Sequence, residues 1–304
     1  MPNMWTHIFF AEDVCSSLSY DIPDSPDRHA LFLGAQGPDP FFYYRFWPWL
    51  SNQKTGQEIG HALHTKECGS FLMHLIEKAQ KQSDEIKAYV MGFITHHLLD
   101  LHTHPYIHYR SGYQANNHQK LETIIDTKWA LNTRKMELWK HPAYKEINVG
   151  KTLPASILYL LDESIRKYYP ELSFQTKDIQ IAYQDMITAQ KLFADPAGLK
   201  NKIFMTLISP YSHQPVNENI DYLNEEKSLW IHSATGESHT ESFEELYADA
   251  LDDAVSLLPL VIDFWDEGGK SVKEQLIRRI GNISYDTGTP LANHDINRFS
   301  VPIV

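Results

Sequence analysis

Thr95-His96-His97-Leu98-Leu99-Asp100-Leu101-His102-Thr103-His104-Pro105-Tyr106-Ile107-His108 places five histidines and an aspartate within fourteen residues. The chain has 16 histidines in all, and nine of them fall between His61 and His118. Neutral imidazole is the commonest zinc ligand, and histidines interspersed with carboxylates are how a chain builds a metal site. In a helix, steps of four keep His96, Asp100 and His104 on one face, drifting about 40° per step. An i, i+4 His/Asp pair can hold one metal jointly. Pro105 is expected to end that helix, because the residue before a proline is pushed out of α geometry. His104 would then leave the helix and turn to a second metal. His118 and Glu122 form another i, i+4 pair, in the first turn of a following helix, where a carboxylate suits the helix dipole. Any one of these residues alone reads as an ordinary surface or core side chain. The combined pattern, from His96 to Glu122, spans only 27 residues and points to metal.

Two upstream pieces can join this cluster. Asp39 stands between Pro38 and Pro40 in Gly34-Ala35-Gln36-Gly37-Pro38-Asp39-Pro40. The prolines fix the backbone and pre-aim the carboxylate; without the histidines, a plain turn aspartate would be the better reading. His61 and His64 lie at i, i+3, so one or both can face the cluster. His7, two residues after Trp5, means little alone.

The remaining pattern is helical. Asn3 is a candidate cap for a helix to about Ser19. Residues 21–29 are Pro/Asp-rich and read as loop, and Gly34 to Pro40 as a turn. Residues 56–81 and 84–103 read as two long helices, the second capped by Ser83 or Asp84. Asn116 or Asn117 caps a helix over about 118–139, with Leu121, Ile124, Ile125 and Trp129 as its core stripe. Further helices fit 154–168, 177–194, 240–265 and 270–280, and residues 205–238 read as irregular. No linker divides the chain, so the expected fold is all-α, a single helical domain over 1–304.

Composition narrows the function. With 42% apolar residues over 304 positions, the chain can bury a large core. No apolar run approaches the roughly 18 residues of a membrane helix. The first residues lack a basic region and an apolar region, so no signal peptide is expected, and Cys15 and Cys68 fit reduced thiols of a cytoplasmic protein. A formal net charge of −12 argues against a large nucleic-acid groove. No phosphate-binding glycine motif is present, so no nucleotide cofactor is expected.

Asn3-Met4-Trp5-Thr6-His7, the Gly34–Pro40 stretch, Ala62-Leu63-His64-Thr65, Thr95-His96-His97-Leu98-Leu99-Asp100 and His118-x-x-x-Glu122 follow one another in the order seen in the zinc-dependent phospholipase C family. The chain resembles that family over about its first 140 residues, and more loosely in the helices at 240–280. The resemblance implies an all-helical fold with two or three zinc ions in a cleft. It implies Asp39, His64, His96 and Asp100 as ligands of one zinc, and His104, His118 and Glu122 as ligands of a second. His7, with Asp100 shared, would belong to a third. In secreted members that third site also uses the amino group of an N-terminal tryptophan, whereas Trp5 is internal here. The family histidine that follows the HxxxD pair falls at Tyr106, so His104 or His108 must replace it; His104 is the smaller adjustment. His61 rivals His64 in the same way.

The implied chemistry is hydrolysis of a phosphodiester by zinc-activated water, with Asp39 as ligand and proton acceptor. The expected substrate is a phospholipid or a related small phosphodiester. A single-strand-specific zinc nuclease of the same architecture and a non-catalytic zinc-binding relative are the alternatives. The aromatic run Phe41 to Trp49 reads first as core and second as a pocket wall or transient contact with a membrane surface. His232 and His239 read as surface-loop polar groups.

Overall fold

The computed structural model describes residues 3–22, 27–50, 54–114, 116–200, 202, 209–216 and 219–304. Ten α-helices organise them: α1 Met4–Ser17, α2 Asp27–Gly34, α3 Thr55–Thr65, α4 Cys68–Ala79, α5 Asp84–Ser111, α6 Asn117–Arg134, α7 Ala155–Tyr168, α8 Thr176–Phe193, α9 Phe243–Asp266 and α10 Lys270–Ile280. A two-residue antiparallel pair, Trp230–Ile231 with Ser238–His239, is the only sheet among the described residues. The fold is all-α, as the sequence pattern predicts. None of the described helices is long and apolar enough to cross a membrane.

The central element is α5, which packs on α1, α2, α4, α6, α7 and α9. Val90, Phe93, Ile94, Leu99, Tyr106 and Ile107 are buried on it from several sides. Its contact with α2 is close because of Gly92: a Cβ there would lie 2.0 Å from the Leu31 carbonyl oxygen. Only glycine lets the two backbones meet at that distance.

α5 does not end at Pro105. It continues to Ser111 with the proline inside it. An interior proline removes one helical hydrogen bond and costs about 3 kcal/mol. Burial of Tyr106, Ile107 and Tyr109 in the turn beyond it offsets that cost. The local preference of the residue before proline is thus overridden by packing. His104 stays in the helix rather than leaving it.

Other boundaries shift for identifiable reasons. The helix expected over 56–81 is two helices, because Lys66 is extended and Glu67 takes a left-handed conformation, φ 47°. Tyr169 Oη donates to the Lys66 carbonyl exposed by that break, at 2.7 Å. The loop expected over 21–29 gives way to α2 at Asp27; residues 23–26 lie outside the described residues. The helix expected to run to 139 stops at Arg134, with Lys135 left-handed, φ 53°. Within 205–238, residues 205–208 and 217–218 lie outside the described residues, and the short strand pair closes the rest. Asn3 caps α1 as expected, its side chain accepting from the Met4 amide, while Ser83 and Asn116 stand at the N-cap positions of α5 and α6 without a side-chain bond to the helix.

The aromatic run divides. Phe41 and Tyr44 are buried, while Phe46, Trp47 and Trp49 form a stacked series whose last member is 74% exposed. His232 and His239 are half-buried beside the strand pair, with His239 stacked on Trp230.

Candidate metal centre

Four groups of side chains bring possible metal-ligand atoms within 4.8 Å of one another: His7, His96 and Asp100; Asp39, His64 and His96; His104, His118 and Glu122; and His104, His108 and Asp286. All eight residues expected from sequence lie in them. They come from five places: α1, the 3₁₀ turn Asp39–Tyr43, α3, α5 and α6.

Asp100 sits at the middle. Its Oδ2 is 3.0 Å from His96 Nε2 and 3.9 Å from both His64 Nε2 and His104 Nε2. Its Oδ1 is 3.4 Å from His7 Nε2. Asp39 Oδ1 is 3.5 Å from His64 Nε2 and 3.9 Å from His96 Nε2. Adjacent ligand atoms of a tetrahedral zinc, with bonds near 2.0–2.1 Å, stand roughly 3.3 Å apart. The closest contacts here match that spacing.

The ring nitrogens are sorted by hydrogen bonds. His64 Nδ1 donates to the Gly60 carbonyl at 2.7 Å, His96 Nδ1 to Ala35 at 3.1 Å and His104 Nδ1 to Tyr285 at 2.6 Å. Each bond places the proton on Nδ1 and leaves the Nε2 lone pair facing the cluster, the tautomer that a metal needs. His96 Nε2, His104 Nε2, both Asp100 oxygens and Asp39 Oδ1 are buried and make no hydrogen bond. His96 Nε2 and Asp100 Oδ2 are close but not aligned to bond. Buried polar groups left this way are costly unless something else satisfies them. Converging N and O atoms that do not bond one another are what a divalent zinc ion satisfies, so the residues fit the metal.

Electrostatics divide the rings: burial pulls the His96 pKa down, but the Asp100 and Asp39 carboxylates outweigh it and raise it, whereas three other rings stay neutral. Burial lowers the pKa values of His7, His104 and His118 well below the ordinary imidazole value, which keeps these rings neutral and able to ligate. Burial opposes charge on Asp100, but the surrounding histidines, His104 and His96 first, outweigh it and hold the carboxyl well below its usual range. His97, by contrast, packs on the Tyr285 ring with its pKa pushed down to about 3 by burial, and belongs to none of the four groups.

Local structure explains these positions. Gly37 has φ 50°, and a Cβ there would strike the His96 ring at 2.2 Å, so the turn before Asp39 can wrap the histidine only as glycine. His64 is buried and His61, three residues earlier, is exposed, which separates the two rivals. His102 points away from the cluster to pair with Asp253 at 2.9 Å. His7 stacks on His96 with ring centroids 4.3 Å apart. It is held there by Asp126, one turn beyond Glu122, which accepts from the Trp5 and Thr6 amides at 3.1 and 2.9 Å. Asp126 also receives His213 Nε2 at 3.0 Å. Sequence spacing shows Asp126 as i+4 from Glu122 but gives no sign that it anchors α1.

The residues that sequence reading missed lie near the C-terminus. Tyr285 N and Ser284 Oγ donate to the His64 carbonyl at 3.0 and 3.1 Å. The Tyr285 carbonyl takes the His104 proton, and Asp286 Oδ1 is 2.9 Å from His108 Nε2. Local periodicity carries no signal for such contacts.

His61→Ala and His102→Ala are expected to leave metal content unchanged, and His64→Ala and His104→Ala to lower it. Elemental analysis of the four purified variants checks this.

A helical scaffold carrying a buried, multi-histidine, multi-carboxylate cluster of this kind defines a candidate metal-site protein. The family model for zinc-dependent phospholipase C matches residues 6–173, more than half of the chain. The chain belongs to that family. Comparison with curated proteins and with solved structures gave no match. Membership supports a metal-dependent phosphodiester hydrolase, and the match spans every expected ligand from His7 to Glu122.

Proposed function

We propose that this chain hydrolyses the phosphodiester bond of a phospholipid or a related small phosphodiester, using two or three zinc ions. The observation that carries the reading is the convergence of Asp39, His64, His96 and Asp100 with His104, His118 and Glu122 along one face of α5, in a chain of this family. Zinc bound there supplies Lewis-acid chemistry: it lowers the pKa of a water and neutralises phosphate oxygens.

The chain's own residues do the rest. The Nδ1 bonds of His64, His96 and His104 fix ring orientation before substrate arrives. Of the carboxylates Asp39, Asp100 and Glu122, Asp39 is the most exposed, with 12% of its side chain accessible against 0% and 2%. A carboxylate at that place can hold metal and accept the proton of the attacking water. A depression lined by Trp139, Phe193 and Tyr211 also includes His213, the partner of Asp126. The exposed Trp49 stack offers a transient contact with a membrane surface. The net charge of −12 favours a small or zwitterionic substrate over a polynucleotide.

Hydrolysis of p-nitrophenyl phosphorylcholine tests the proposal. Turnover is expected to vanish on chelation and return with zinc. Turnover that survives complete metal removal refutes it. Cleavage of single-stranded nucleic acid with none of phospholipid analogues replaces it with the nuclease reading.

A further inference from the structure

Because α5 runs through Pro105, His108 stands one more four-residue step beyond His104 on the ladder of His96, Asp100 and His104. Each step advances about 6 Å along the axis with only a small rotation. His108 therefore reaches the end of the cluster where α6 delivers His118 and Glu122. The three rings close a triangle: centroids are 5.3 Å apart for His104 and His108, 5.7 Å for His104 and His118, and 4.7 Å for His108 and His118.

A carboxylate completes this corner from a distant part of the chain. Asp286 lies in the segment after α10, outside residues 6–173 that match the family. Its neighbours fasten that segment to the centre through the His64 carbonyl and His104 Nδ1. Asn297 Nδ2 donates to the Asp286 carbonyl at 3.0 Å and fixes the turn from the other side. His104, His108 and Asp286 present ligand atoms within 4.8 Å of one another. His104 Nε2 and His108 Nδ1 are buried without a hydrogen bond.

We propose that His108 and Asp286 belong to the ligand set of the second metal, Asp286 as a direct carboxylate ligand contributed by the C-terminal segment. The proposal rests on the metal centre invoked under Proposed function. His104 is shared by the group with His118 and Glu122 and the group with His108 and Asp286, and with its Nδ1 bonded to the Tyr285 carbonyl it has one nitrogen, Nε2, to offer. The two groups are therefore one enlarged site, not two independent ones. A site with three imidazoles and two carboxylates suits a divalent ion of zinc's class and permits more than four ligands. The C-terminal segment is thereby tied to metal binding: removing the ion loosens it, and removing Asp286 weakens the ion.

The test uses the full-length protein and two substitutions. Asp286→Asn keeps the size of the side chain and an acceptor for His108, so the fold is retained. Its affinity for one zinc ion, measured by competition with a chromophoric chelator, is expected to fall at least about tenfold while the remaining metal stays bound. Asp286→Cys in cobalt-substituted protein is expected to add a thiolate-to-cobalt charge-transfer band absent from the parent. That band separates a direct ligand from a residue that merely orients His108. A folded Asp286→Cys protein without the band overturns the proposal. If that variant does not fold, unchanged zinc affinity in Asp286→Asn overturns it. A parent protein that binds no metal fails the Proposed function reading itself. A parent that binds metal beside an unaffected Asp286→Asn variant fails this proposal alone.

Discussion

Asp100→Ala is expected to strip the centre more completely than any other single substitution, from about two bound ions to one or fewer. The reason is position. Asp100 is fully buried, and its two oxygens face different sets of imidazoles, His7 on one side and His96, His64 and His104 on the other. His96 and His104 each serve two groups, but this carboxylate lies within 3.9 Å of four histidines, His7, His64, His96 and His104. It is also the carboxylate of the group with His7 and His96, and without it a dication there meets neutral imidazoles alone. Phosphodiester turnover should fall by roughly a thousandfold, the equivalent of losing several kcal/mol of metal stabilisation of the transition state. Elemental analysis and initial rates on the same preparation check both parts. An Asp100→Ala protein with a wild-type metal complement would remove the central role argued for this carboxylate.

The site was legible where its residues share a helix. His96, Asp100 and His104, and again His118 and Glu122, announce themselves because a period near four is a local property of sequence. Asp39 was visible through its flanking prolines, and His64 through its motif. Pro105 misled because its local penalty is real; burial of Tyr106 and Ile107 in the following turn was not visible from spacing. That one error also counted against His108, the rival of His104, since a helix ended at 104 has no further rung. The support of the site was not legible at all. Asp126 reaches α1 across 120 residues, and Tyr285 meets His104 across 181. Such contacts are written in the packing of α1, α6 and the C-terminal segment on α5, which no window of sequence contains. The break at Glu67 was hidden for the same reason, because the chain turns where Gly69 presses on Gly281 and bonds Asn282.

Asp39→Asn is expected to separate binding from catalysis. The substitution keeps an oxygen in place and the backbone that aims it, with Pro38 and Pro40 on either side and the Asp39 amide bonded to the Gln36 carbonyl at 3.0 Å. It removes the charge and the capacity to take a proton. If Asp39 were only a ligand, turnover would fall in step with metal content, because His64, His96 and Asp100 remain to hold that ion less tightly. If it also accepts the proton of the attacking water, turnover per bound metal falls as well, by about 10² to 10⁴, the usual contribution of a positioned base. The geometry favours the second outcome: in the groups on His96, Asp100 is enclosed while Asp39 keeps 12% of its side chain accessible to water. Rates normalised to measured zinc, compared between wild type and variant at saturating metal, decide it. Equal turnover per bound zinc would return Asp39 to the role of ligand and leave proton removal to another group.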